Sequence, residues 1–292
     1  MPILSTKPIC CTKTNWLTGA ISGITILTLL LGLVGLAQAG SSVAFYYGKH
    51  PSVRQLADFD WVIIDPDSDF MPVHYPRSRA HWIAYVSVGE VTQNRGYYDY
   101  LPKSWIMGDD TEWNSEVIDQ TSPAWPDYFA DQVVAPLWKR GFRGFFLDTL
   151  DAYQRVTTDP KEQAAQRQGL VRLVMVLRQR FPQAVIFLNR GFELLPQVHA
   201  QVNGVVVESV FKGWDQARKT YFDVAPQDTR WIINQIQIVQ QHYRLPVIAL
   251  DYCDPQQPAC AQNDIARLSQ LHLIPYVSDG LLSVVNGKDL SR

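Results

Sequence analysis

The sequence predicts an α/β fold, a single-domain (β/α)₈ TIM barrel, and three observations lead there. Short β-branched and aromatic runs recur eight times, separated by helix-like segments, the pattern of a parallel sheet built from β-α units. The stretch carrying them, residues 40–292, is 253 residues long, the usual length of such a barrel. Nearly every run ends on a polar or charged residue, and barrel enzymes keep their chemistry at strand C-termini.

The runs are 43–47, 61–65, 83–88, 144–148, 185–189, 204–208, 247–251 and 274–277. Helices are expected over 126–140, stopped by Gly141, and over 160–180, stopped by Pro182, with a further one capped by Asn263. No linker, low-complexity run or solenoid-period repeat interrupts the chain, so one compact unit is expected.

Residues 1–39 carry Lys7 and Lys13 but no acid, then an apolar stretch from Leu17 to Leu36, then Ala37-Gln38-Ala39 before Gly40. That is the order of a signal peptide and its cleavage site. At about 20 residues the apolar stretch is also long enough to span a bilayer, so an uncleaved membrane tether is the alternative. Either way the remainder is expected to be secreted or periplasmic.

Without that segment, 24 Lys plus Arg face 28 Asp plus Glu, a net charge of −4. No basic stripe is present to neutralise phosphates, so nucleic acid is not an expected partner. A monomer is expected. Cys253 and Cys260, flanked by Pro255 and Pro258, are expected to pair in an oxidising compartment, with two free thiols as the alternative.

Strands four and six share a pattern, Gly144-Phe-Phe-Leu-Asp148 and Gly204-Val-Val-Val-Glu208, in which a glycine lies four residues before an acid on the same strand face. Both acids should therefore point the same way, and an ionised acid ending an apolar run needs partners or water, which a barrel mouth supplies. Two carboxyl groups across a cleft are the minimum equipment of most glycosidases. Asp148 and Glu208 are thus the catalytic candidates. Asp151 is read either as orienting substrate or as capping the following helix.

The segment 91–126 is long and holds Tyr97, Tyr98, Tyr100, Trp105, Trp113 and Trp125, which either stack on sugar rings or pack the loop onto the barrel. No G-x-S-x-G elbow, H-E-x-x-H, P-loop or Rossmann glycine signature is present. The six histidines form no pair at ligand spacing, and neither metal nor cofactor is assigned. Asp65, Glu90, Asp151, Asp251 and Asp279 are expected to crowd one rim, with Arg190 as the cation among strand-end residues, so the mouth should attract a polymer bearing ammonium groups.

Several segments together, Phe45-Tyr-Tyr-Gly48, Tyr85-Val-Ser-Val-Gly-Glu90, Gly141 to Asp151, Asn189-Arg-Gly-Phe-Glu193 and Val207-Glu-Ser209, resemble glycoside hydrolase family 114 and the related hydrolase domain of the bacterial Pel exopolysaccharide system. The likeness runs in order over most of residues 40–292, and Leu147-Asp-Thr-Leu-Asp151 with Glu208-Ser209 is its most specific part. It implies a barrel enzyme acting inside chains of α-1,4-linked galactosamine and N-acetylgalactosamine, an amino-sugar polysaccharide. It also implies that Asp148 is the nucleophile and Glu208 the acid/base. Tyr47, Asp65, Glu90, Asn189 and Tyr252 are then expected to line the sugar site, and Asp151, Arg190, Trp214, Asp251 and Asp279 complete the candidate substrate contacts. The rival reading is an exported barrel that binds polysaccharide without cutting it.

Overall fold

The computed structural model describes residues 41–111 and 113–286; the expected signal peptide or anchor, residues 1–39, lies outside the described residues. The eight expected runs form strands β1 (Val43–Tyr46), β2 (Trp61–Ile64), β3 (His81–Ser87), β4 (Gly144–Asp148), β5 (Val185–Asn189), β6 (Gly204–Glu208), β7 (Val247–Tyr252) and β8 (Ile274–Ser278). Each coincides with its expected run to within two residues. They pair in chain order, all parallel. The ring comes round where the Tyr276 hydroxyl donates to the Phe45 carbonyl at 3.3 Å and the Tyr47 amide to the Leu282 carbonyl at 2.8 Å. The result is a nearly closed eight-stranded barrel.

Alternation along each strand decides what fills it. Trp61 of β2 meets Phe187 of β5 with ring centres 5.1 Å apart, and Phe45 of β1 meets Phe146 of β4 at 5.7 Å. Neither pair comes from neighbouring strands, so both contacts cross the lumen. Burying such rings contributes about 2 kcal/mol each. The glycines of β4 and β6 leave them room: a Cβ on Gly204 would sit 3.0 Å from the Phe187 ring and 2.8 Å from the Pro246 carbonyl oxygen. Two and four residues further along the same faces come Phe146 and Asp148, or Val206 and Glu208. The lumen is thus plugged below and polar above.

The outer layer contains a helical run from Trp125 to Arg140, which includes a π turn at Phe129–Val134 and stops at Gly141 with φ 105°. The helix Pro160–Arg180 is capped by Asp159, which accepts the Lys161 amide at 2.9 Å. Pro226–Ile238 and Pro258–Gln270 follow β6 and β7. The last corrects one expectation: the helix begins at Pro258, whose fixed φ suits a first turn, and Asn263 lies in its middle. Cys253, just past β7, is bonded to Cys260 in that helix, with Cα atoms 6.0 Å apart.

Two excursions were not legible as strands. Segment 91–126 carries most of a three-stranded antiparallel sheet, Glu90–Val91, Ser115–Ile118 and Ile106–Asp110. After β6 the chain forms a hairpin of Lys212–Asp215 against Thr220–Asp223. Both overhang the C-terminal mouth.

Candidate active site

Asp148, Asn189 and Glu208 end three successive strands on their lumen faces. Each is followed by a residue in left-handed backbone, Thr149 (φ 59°), Arg190 (φ 53°) and Ser209 (φ 57°). That conformation costs a non-glycine residue about 1 kcal/mol, and it turns the chain sharply off the strand. Neighbouring strands hold the turns in place: the Arg190 amide donates to the Val206 carbonyl at 2.8 Å and the Ser209 amide to the Leu250 carbonyl at 2.9 Å. The Thr149 hydroxyl accepts the Gly89 amide at 2.8 Å.

The turns leave the two acids joined through one amide. Asn189 Nδ2 donates to Asp148 Oδ1 at 2.7 Å and to Glu208 Oε1 at 2.6 Å, which together keep those oxygens within about 5.3 Å of each other. The remaining oxygens are held too, Asp148 Oδ2 by the Tyr85 hydroxyl at 2.8 Å and Glu208 Oε2 by the Tyr252 hydroxyl at 2.5 Å. Tyr47 packs beside Tyr85 with ring centres 5.1 Å apart. Burial holds the hydroxyls of Tyr47, Tyr85 and Tyr252 well above the ordinary tyrosine range, with the two acids adding to it, so all three stay protonated.

Glu208 is pushed above the usual carboxylate range by burial first and by the charge of Asp148 second; the hydrogen bonds from Tyr252 and Asn189 and the nearby Arg190 oppose the rise. A buried glutamate that holds its proton more tightly than usual, beside a second carboxyl group, is equipped to give up a proton.

Around this pair opens a cleft of about 960 Å³. Of the expected residues, Tyr47, Asp65, Glu90, Asp151, Asn189, Arg190, Trp214 and Tyr252 line it. Trp214 comes from the hairpin after β6 and lies flat against Gly280, where any Cβ would sit 2.1 Å from the indole. Trp113 also reaches the cleft, whereas Trp125 is buried and Trp105 packs against it at 6.0 Å.

Asp251 and Asp279 do not line the cleft, a correction with two causes. Asp251 lies one residue before the lumen-facing Tyr252, and on a pleated strand one residue reverses the face, whereas Asp279 lies past the end of β8 and is taken up by the turn there. Asp251 is fully buried on the outer side of β7, where it accepts the amides of Val210, Phe211 and Lys212 at 2.7, 2.7 and 2.9 Å. It therefore anchors the chain just after Glu208. Asp279 accepts the amides of Leu281, Ser283 and Val284 and shapes the turn that follows β8.

The expected acidic rim is also partly neutralised. Arg95 pairs with Asp65 at 3.2 Å, and Arg155 pairs with Glu90 and, at 2.8 Å, with Asp110. Arg95 comes from a loop and Arg155 from the short 3-10 turn Ala152–Arg155, and nothing in the strand pattern marks them. Phe192 and Trp231 were missed for the same reason. Tyr85 was findable, because it shares a face of β3 with Ser87. Among the described residues, no group of three or more His, Cys, Asp or Glu is arranged to hold a metal ion.

A parallel eight-stranded barrel with two carboxyl groups tied across its mouth has the architecture of a glycoside hydrolase. The chain belongs to glycoside-hydrolase family GH114, whose model matches residues 37–288. It is 30% identical to the glycoside hydrolase domain of PelA from Pseudomonas aeruginosa, covering 85% of this chain and 98% of that one with a TM-score of 0.77. The fold also matches Aspergillus fumigatus Ega3, solved in complex with galactosamine, at 17% identity and a TM-score of 0.60 over 85% of this chain and 95% of that one. An uncharacterized protein of Deinococcus radiodurans is 28% identical over 237 residues, 76% of this chain and 73% of that one.

Proposed function

We propose that this chain hydrolyses α-1,4-linked galactosamine and N-acetylgalactosamine polysaccharide, with Asp148 as nucleophile and Glu208 as acid/base. The amide bridge carries the reading: one Asn189 nitrogen keeps an oxygen of each carboxyl group within about 5.3 Å of the other, which favours the close pair of a retaining glycosidase, roughly 5 Å, over the 6.5 Å or more that leaves room for an inverting water. Glu208, whose proton burial helps to hold, gives it to the glycosidic oxygen. Asp148 attacks C1, the leaving chain departs as an alcohol, and a glycosyl ester forms. Glu208, now a carboxylate, takes a proton from water, which attacks C1 and frees Asp148. The sugar and linkage come from the family resemblance. The basic-apolar-small order of residues 1–39 and the disulfide support a secreted or periplasmic site of action.

Asp148→Asn and Glu208→Gln should each fold normally and lose turnover of partly deacetylated galactosamine polymer by about a thousandfold or more. Reducing-end release and circular dichroism measured together test this. Either variant keeping more than about a tenth of wild-type turnover would overturn the assignment.

A further inference from the structure

The helix Pro226–Ile238 and the turn after it bury Ile232, Ile236 and Val239 against the barrel. Trp231, one position away from that face, is 51% exposed and stands in the wall of the cleft. An indole left open to water inside a polar cleft asks for a ligand. Its ring rests edge-on against Phe192, with centres 5.9 Å apart and planes at 76°. Phe192 lies three residues beyond Asn189, so the ring pair is built onto the same turn that carries the bridging amide. Gln235, one helical turn after Trp231 and on the same side, also lines the cleft.

A flat aromatic face beside a primary amide is the chemistry that receives a pyranose: the C–H face of the ring covers the indole, and the amide both donates to and accepts from hydroxyls. The cleft is continuous from Asp148 and Glu208 to this wall, and its volume is at the upper limit of what a single compact ligand needs. We propose that Trp231, backed by Phe192 and flanked by Gln235, is a platform for a sugar residue of the same polymer away from the bond being cut. This rests on the polysaccharide hydrolase reading. Trp231 then sets preference for chain length and takes no part in bond breaking.

The test is a series of partly deacetylated galactosamine oligosaccharides of increasing length, with kcat and KM measured for wild type, Trp231→Ala, Trp231→Phe and, as a control, Tyr100→Ala. Tyr100 is 77% exposed and lies outside the cleft. Wild type should gain in kcat/KM as the chain lengthens. Trp231→Ala should lose about three- to tenfold of that gain through KM, the deficit growing with length, while Trp231→Phe keeps most of it. Melting temperatures of all four proteins should agree closely. A Trp231→Ala enzyme matching wild type at every length, or weakened equally at every length, overturns the platform and leaves the hydrolase reading standing. A wild-type protein that cuts no member of the series overturns the hydrolase reading, and the platform falls with it.

Discussion

Two pairs of carboxyl groups lie on opposite sides of the same barrel wall. Asp148 and Glu208 face the lumen, are joined through Asn189 and open onto the cleft. Asp251 and Asp264 face the helical layer, 0% and 1% exposed, and meet each other in a contact that is favourable only when one of them carries a proton, since the Asp264 carboxyl group has no other hydrogen-bond partner among the described residues. Asp251 receives three backbone amides, which suit a charged carboxylate, and so the shared proton belongs on Asp264. Burial and the neighbouring Asp251 charge raise Asp264 to about 8. The difference teaches that an acid at a strand end is not thereby a site residue. The face it takes and the donors it meets decide whether it does chemistry or holds the fold.

The largest effects that could break this contrast concern the outer pair. Asp251→Ala should strip three amides of their acceptor and destabilise the fold by about 3 kcal/mol or more, whereas the Asp148 and Glu208 variants lose turnover at normal stability. Asp264→Asn tests the proton. The folded state holds a proton on Asp264 up to about pH 8, and the unfolded chain releases it near 4. Over that window folding takes up a proton, so stability falls as pH rises, by at most about 1.4 kcal/mol per pH unit from this group. Asparagine donates to Asp251 at every pH and should flatten that part of the curve. Urea unfolding at pH 5 to 9 would show it; parallel curves for wild type and Asp264→Asn would mean that the proton does not reside there. Lys212 and Arg267, which lower Asp264, remain in both proteins and cancel in the comparison.

Next in size is an effect within the inner pair. Glu208 acts while protonated, so activity is lost as pH rises through its raised pKa. The Tyr252 hydroxyl donates to the charged form. Removing it in Tyr252→Phe should push Glu208 higher still and move the alkaline limb of kcat/KM upward by about one pH unit. A limb that stays put or moves down would show that Tyr252 contacts substrate rather than tuning Glu208.

The same contrast explains what was legible beforehand. Recurring β-branched and aromatic runs found all eight strands, and period-two patterning, through the shared Gly-to-acid spacing, found both inner carboxyl groups. Applied to β7 it would also have separated Tyr252 from Asp251, since adjacent residues cannot share a face. Treating every strand-end acid alike lost that information. The left-handed turns at Thr149, Arg190 and Ser209 left no trace, because none of these residues is a glycine. Arg95, Arg155 and Trp231 reach the cleft from a loop, a short 3-10 turn and a helix, and their placement depends on tertiary packing that strand periodicity does not encode.

The smallest expected effect concerns charge along the cleft, where the rim read from strand ends is more acidic than the rim the loops complete. The lining holds six acids, Asp65, Glu90, Asp148, Asp151, Glu193 and Glu208, against Arg95, Arg155 and Arg190. Counting Glu208 as the protonated acid that the proposed mechanism requires, the excess is two negative charges, since Asp251 and Asp279 are turned away. A cationic galactosamine chain should still arrive faster than a neutral one, because a cleft of one sign raises the local concentration of its counter-charge. The advantage is modest, however, because Arg95 and Arg155 already answer Asp65 and Glu90. Salt shortens the screening length from about 10 Å at 0.1 M towards 3 Å at 1 M. Over that range kcat/KM on deacetylated polymer should fall by about threefold and kcat by less. Arg155→Gln removes the cation beside Glu90 and Asp110 and should steepen the salt dependence if the field is what matters. A salt series on polymers of graded acetylation reads both. A fall of a hundredfold in wild type would mean that the arginines swing away from their acids when substrate binds, and no fall at all would mean that the remaining acids contact hydroxyls rather than ammonium groups.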